Sequence, residues 1–230
     1  MLIFFYIWLA LEISNRFQIL NNLFENQFSL KMQSPIYSTH THSAYKKMNL
    51  LKEISHIRIF HDHLCEMVVA MNDIFGFVIL FAVLFSLAFT LEYLIILILY
   101  VIMKHLLNGK EILVEVKYAS IMWILENCIR VVTLAYTGER LSRQANRMID
   151  ICCKMMKKID LIIGEDAKRI KSELKFTLVQ ISHRQPTLSA AGFFNVNFQM
   201  IGFLISSLTS YILVAVQFFQ SQYALSSQRT

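Results

Sequence analysis

Glu92, Tyr93, Trp123, Glu126 and Asn127 are the side chains of this sequence best suited to holding a small polar organic molecule. They offer two aromatic faces and several acceptors, the mixture a small-ligand site uses. All five sit in long apolar runs, where polar groups usually face the protein interior or a wet path. Tyr93 and Trp123 could equally belong to an aromatic belt at the bilayer boundary. Glu126 and Arg130 are four apart with the acid first, which makes a favourable pair on one helix. A second feature is Gln217, followed by Phe218, in the charge-free run Phe198–Phe219. A carboxamide facing lipid would leave donors and acceptors unpaired, so Gln217 should face other helices or water.

Reaction chemistry is not indicated. The sequence has no G-x-S-x-G, no phosphate loop and no acids spaced for a metal cluster, so no catalytic residue and no cofactor is assigned. Five of the seven histidines fall between His40 and His63. The pairs His40/His42 and His61/His63 lack the H-E-x-x-H or paired C-x-x-C patterns of metal sites, and no metal is expected. Cys65, Cys128, Cys152 and Cys153 show no disulfide spacing. Reduced structural thiols are the simpler reading, and palmitoylation of Cys152–Cys153 the alternative.

The elements that must position these residues are long helices. The chain is 56% hydrophobic with only 6 Gly and 2 Pro, and its apolar residues come in blocks. That composition defines an all-α membrane protein. The net charge of +6 lies between apolar spans rather than on a nucleic-acid-binding face, so no nucleic acid is expected. Residues 1–13 are too short to span and read as the end of a truncated transmembrane helix. Residues 74–103, 118–136 and 198–219 are full spans, about 20 residues being enough. Residues 139–185 carry eleven Lys or Arg against six acids, whereas 104–117 carry three against two. The positive-inside rule then makes 14–73 and 137–197 cytoplasmic, and 104–117 and the 220–230 tail extracellular. On that topology Glu92, Tyr93, Trp123 and Glu126 share a depth in the outer leaflet, Trp123 and Glu126 roughly 8 and 12 Å below Tyr118.

The cytoplasmic stretches carry helical periodicity. In 50–72 it marks Leu51, Ile54, Ile57, Phe60, Leu64 and Val68. In 141–163 it marks Leu141, Ala145, Met148, Ile151, Cys152, Met155 and Ile159. In 165–182 it marks Ile170, Leu174, Thr177, Leu178 and Ile181, and 16–30 is a weaker candidate. Residues 31–47, with Pro35, read as a loop. Such apolar stripes must be covered, so the membrane helices should continue into a cytoplasmic helical bundle.

Ser210-Tyr211, five hydrophobic residues and Gln217-Phe218 resemble the ending of the last helix of insect gustatory receptors, with Ser210 in place of a Thr. Phe60-His61-Asp62-His63-Leu64-Cys65 and Asn72-Asp73-Ile74-Phe75-Gly76 are similar to the family's approach to its fifth span. Ser189 through Asn197 is similar to the segment before its seventh, and Arg16-Phe17 with Leu20-Asn21 to the stretch after its fourth. The resemblance covers nearly the whole chain. It implies a ligand-gated cation channel of seven helices per subunit, four subunits around one pore, in the plasma membrane of chemosensory neurons. It also implies a cytoplasmic N-terminus for the full-length parent, an extracellular C-terminus and a small-molecule tastant as ligand. By motif position Gln217 and Phe218 fall at the gate, with Tyr211 deeper on the same pore-lining helix. The family's first three helices and most of its fourth have no counterpart, so the chain reads as a C-terminal portion. An odorant receptor of the same architecture, or a non-conducting subunit that only oligomerises, are the alternatives. The expected assembly is a homo- or hetero-tetramer in membrane lipid.

Overall fold

The computed structural model describes residues 1–33, 40–106, 114–160 and 165–227. They form α1 (Leu2–Gln33), α2 (His40–Leu106), α3 (Val114–Ile159), α4 (Glu165–His183), a two-residue strand pair β1 (Ser189–Ala190) and β2 (Phe194–Asn195), and α5 (Phe198–Ser227). The 67 residues of α2 include no proline and a single glycine, Gly76, so nothing interrupts the i→i+4 ladder. His40–Lys47, expected as loop, begin α2, because no helix breaker follows Pro35 there; residues 34–39 lie outside the described residues. Likewise α5 runs eight residues beyond Phe219, to Ser227, where a tail was expected. After α4 ends at His183, near Pro186, the chain forms the β1–β2 hairpin before α5.

Four of these helices contain segments long and apolar enough to cross a membrane: Leu2–Phe28, Leu50–Val101, Glu115–Ile159 and Phe198–Phe218. At 1.5 Å per residue the second is about 78 Å long, more than twice a hydrocarbon core of roughly 30 Å. Its first part carries Lys52, Glu53, Arg58, Asp62 and Glu66, which places the bilayer-spanning part after Asp73.

The chain divides into two compact units. One contains residues 1–75 and 137–189, and its core is the meeting of four helical stripes. From α1 come Tyr6, Ala10, Ile13, Phe17, Leu20, Phe24 and Phe28, at steps of three or four residues. From α3 come Leu141, Ala145, Met148, Ile151, Cys152, Met155 and Ile159, all at most 4% exposed. From α4 come Leu174, Thr177 and Ile181. This is the bundle pattern in which each helix buries one face. In α2 the buried face is Leu50, Ile54, His61, Leu64, Cys65, Val68 and Met71. Leu51 and Ile57 lie at its edge and Phe60 is exposed, which shifts the start of the expected stripe. A reading by residue type prefers Phe60 to His61; the 3.6-residue repeat through Ile54, His61 and Val68 prefers the histidine. The α3 stripe is thus covered by the chain itself, and a second subunit is not needed to bury it.

The other unit contains residues 76–136 and 190–230. It buries polar side chains beside apolar ones such as Ile79, Val83 and Leu134, and leaves many large apolar ones exposed. Ser86, Thr90, Ser120 and Asn127 are buried, whereas Phe77, Phe81, Leu84, Phe85 and Phe89 on α2 and Ile121, Met122, Leu125, Ile129 and Val132 on α3 are exposed. Water would reject such a surface; a bilayer accepts it, and helices in lipid associate through small and hydrogen-bonding residues. The chain is accordingly an all-α membrane protein.

Candidate functional site

The residues singled out for ligand contact come together in part. The Tyr93 and Trp123 rings stack with centroids 6.0 Å apart and planes 6° from parallel. One turn further along α3, Asn127 is buried; its Oδ1 accepts a hydrogen bond from Ser86 Oγ at 3.2 Å, and its Nδ2 donates to the Trp123 carbonyl at 3.0 Å. Thr90 donates to the Ser86 carbonyl at 2.6 Å. These bonds pair polar groups that lipid could not satisfy, and the one from Ser86 to Asn127 joins α2 to α3. Glu126 is exposed and takes a hydrogen bond from Arg130 Nη2, and Glu92 is exposed on α2. The acids therefore sit on the outside of the pair of helices rather than with Asn127.

The α5 residues are on the surface. Only 6% of its most apolar window is buried in the chain, and Tyr211 and Phe218 are 57% and 60% exposed. Tyr211 and Phe218 are seven apart and share a face. Ser206, Ser210, Gln217 and Ser221 are all exposed. At spacings of four, seven and four they form one polar line along a mainly apolar helix, which also carries Ser207 and Thr209 off that line. The hydroxyls partly satisfy themselves: Ser210 donates to the Ser206 carbonyl at 3.0 Å and Ser221 to the Phe218 carbonyl at 2.8 Å. Gln217 has a full carboxamide, two donors and an acceptor, on the same line.

Reading the residues one by one missed a set of contacts between α2 and the chain from α4 to the hairpin. Asn72 Nδ2 donates to the Thr187 carbonyl at 2.9 Å, and Asn72 Oδ1 accepts from the Ser189 backbone N–H at 3.0 Å. Asp62 accepts from Gln180 Nε2 and from Arg184 Nη1, each at 3.0 Å. In the membrane unit, a Cβ on Gly76 would lie 2.7 Å from the Ala191 backbone nitrogen, so only glycine lets the hairpin turn reach α2. Asn72 to Gly76 and Ser189 to Asn197 were quoted above as separate stretches; the structure brings them into contact. Asn72→Ala should strip both backbone groups of their partner and cost about 2 kcal/mol. A lowered thermal midpoint of the detergent-purified protein would show it, and an unchanged midpoint would remove the clamp from the account.

The histidines do not converge. His61 is buried against the edge of Phe17, ring centroids 5.3 Å apart, with Cys65 Sγ 3.5 Å from its Nδ1. Burial pushes its imidazole below the ordinary value, against smaller opposing contributions from the Ala145 backbone and Asp62. His63 pairs with Glu66 on the exposed side of α2. The side chains of His40 and His42 lie outside the described residues. Among the described residues no group of three or more His, Cys, Asp or Glu could hold a metal. Cys152 is fully buried, its thiol pushed up to about 12 by burial, whereas Cys153 is half-buried.

Long helices and a lipid-facing unit define a membrane protein more narrowly than composition does. The family model for the 7tm chemosensory receptor matches residues 1–222. The chain belongs to the 7tm chemosensory receptor family. No curated protein sequence matches it. Chemoreception is therefore the setting for these residues, and the receptor's Gln217-Phe218 ending is part of a chain that carries the family pattern almost throughout.

Proposed function

We propose that the receptor is a gustatory receptor of the plasma membrane: a ligand-gated, non-selective cation channel in which α5 lines the path. Subunits assemble as a homo- or hetero-tetramer, and a small soluble tastant acts through the region of Tyr93, Trp123 and Asn127, with Glu92 and Glu126 at its margin. The observation that carries this reading is the uncovered polar line Ser206–Ser210–Gln217–Ser221 on α5. Facing lipid, Gln217 would forfeit its hydrogen bonds at a cost of a few kcal/mol; facing a water-filled axis shared with other subunits, it hydrates a passing cation. Phe218, next to it, supplies the apolar ring that closes such a path by dewetting. The Tyr211 to Gln217-Phe218 ending supports the gustatory over the odorant branch.

The loop charges put the C-terminus outside the cell and residues 139–185 inside. Cells expressing the receptor with an epitope after Thr230 should stain without permeabilisation. They should also show cation influx to one of a panel of sugars and bitter alkaloids. Staining only after permeabilisation would refute the orientation, and surface-exposed receptor that binds a tastant without influx would identify a non-conducting subunit instead.

A further inference from the structure

We propose that the β1–β2 hairpin is a membrane-contacting element, and that Phe193 at its tip inserts into the headgroup–acyl boundary of the bilayer. The boundary can be located on α2 from exposed chemistry alone. Glu66 and Asp73 are exposed charges; from Ile74, 69% exposed, the outer face continues through Phe77, Phe81, Phe85 and Phe89, and the next ionisable residue is Glu92. An exposed face changes from charged to wholly apolar where water gives way to lipid. That change falls between Asp73 and Ile74.

The hairpin meets α2 at this level. The turn packs against Gly76, whose missing Cβ leaves room for the Ala191 nitrogen and Cα. Gly76 lies two residues past Ile74, roughly 3 Å further along the helix. The turn is also held in shape. Ala191 at φ 51° and Gly192 at φ 78° are both left-handed, and the Phe193 N–H donates to the Ala190 carbonyl at 3.0 Å. Positive φ at both central residues with this bond is the pattern of a type I′ turn, within the three residues 191–193 that connect the strands. Phe193 follows directly and is 73% exposed, the most exposed of the described phenylalanines in this unit. A bare aromatic ring on a fixed turn, at the depth where lipid begins, has the interfacial bilayer as its natural environment. In the same unit the outer residues of α2 and, just after the hairpin, Phe198 and Phe203 of α5, 46% and 67% exposed, are likewise bare of protein. Seated there, the hairpin fixes the depth at which α5 begins.

The test uses Phe193→Trp in the full chain, reconstituted into phosphatidylcholine vesicles. The acyl chains carry bromine either near the headgroup or near the chain ends. Trp8 and Trp123 are also present, so the signal is the difference from the parent. The added emission should be blue-shifted, quenched several-fold more by shallow than by deep bromines, and insensitive to aqueous iodide. Quenching by iodide alone would place the tip in water, and quenching by neither would place it under protein; either overturns the proposal, as does preferential quenching by deep bromines. Adding Gly76→Leu, which displaces Ala191 from α2, should abolish the shallow preference. An unchanged pattern would show that the Gly76 contact does not set the depth.

Discussion

Replacing Phe218 with alanine should raise cation current several-fold in the absence of any tastant. Phe218 lies on the surface of α5 beside Gln217, on the face that also carries Tyr211. Copies of this ring around an axis form a constriction narrow and apolar enough for water to leave, and their removal widens and wets it. Gln217→Leu has the opposite expected sign. It takes away the carboxamide that hydrates a cation and should reduce tastant-evoked current several-fold at equal surface expression. Because the two effects differ in direction, a shared folding defect cannot produce both. Whole-cell recordings normalised to surface label measure them. Parent-like currents from both surface-expressed variants would remove this stretch from the gate.

Met148→Asp should abolish the folded protein. Met148 is fully buried on α3, in the same stripe as Leu141, Ala145 and Cys152. A carboxylate there has no cationic partner built for it, and an unpaired buried charge costs several kcal/mol, a large part of a typical stability margin. Met148→Leu, similar in volume and apolar, should cost less than about 1.5 kcal/mol. Size-exclusion profiles of fluorescently tagged protein in detergent would show aggregate for the aspartate variant and a parent-like peak for the leucine variant. A parent-like peak for Met148→Asp would mean that the α3 stripe is not the core. The structure also changes how such variants are read. Ile151 and Met155, 2% and 4% exposed within one chain, would report on folding before they reported on assembly.

Where the chain obeys simple periodicity, sequence and structure agree residue by residue. The α3 stripe is the clearest case, because apolar types fill every buried position from Leu141 to Ile159. The α2 stripe is legible only in part, since one of its buried positions is a histidine and the neighbouring exposed position a phenylalanine. The hairpin was hidden for a related reason. Its turn places Ala191 in a conformation that usually selects Gly or Asn, leaving Gly192 as the lone local signal. Asn72 and Gly76 act through backbone more than a hundred residues away, which no window of sequence reports. The proximity of Tyr93 and Trp123 follows from depth counted along two antiparallel spans. The outward direction of Glu92 and Glu126 does not, because depth leaves rotation about the helix axis open.

Current through a planar bilayer containing only the purified receptor tests the central claim most directly, since no other protein can supply the conductance. The Phe218→Ala variant removes the need to know the tastant. The account predicts discrete openings carried by both sodium and potassium, frequent in Phe218→Ala, rare in the parent, and smaller when Gln217→Leu is added. Bilayers that stay silent with folded Phe218→Ala receptor demonstrably inserted would contradict it.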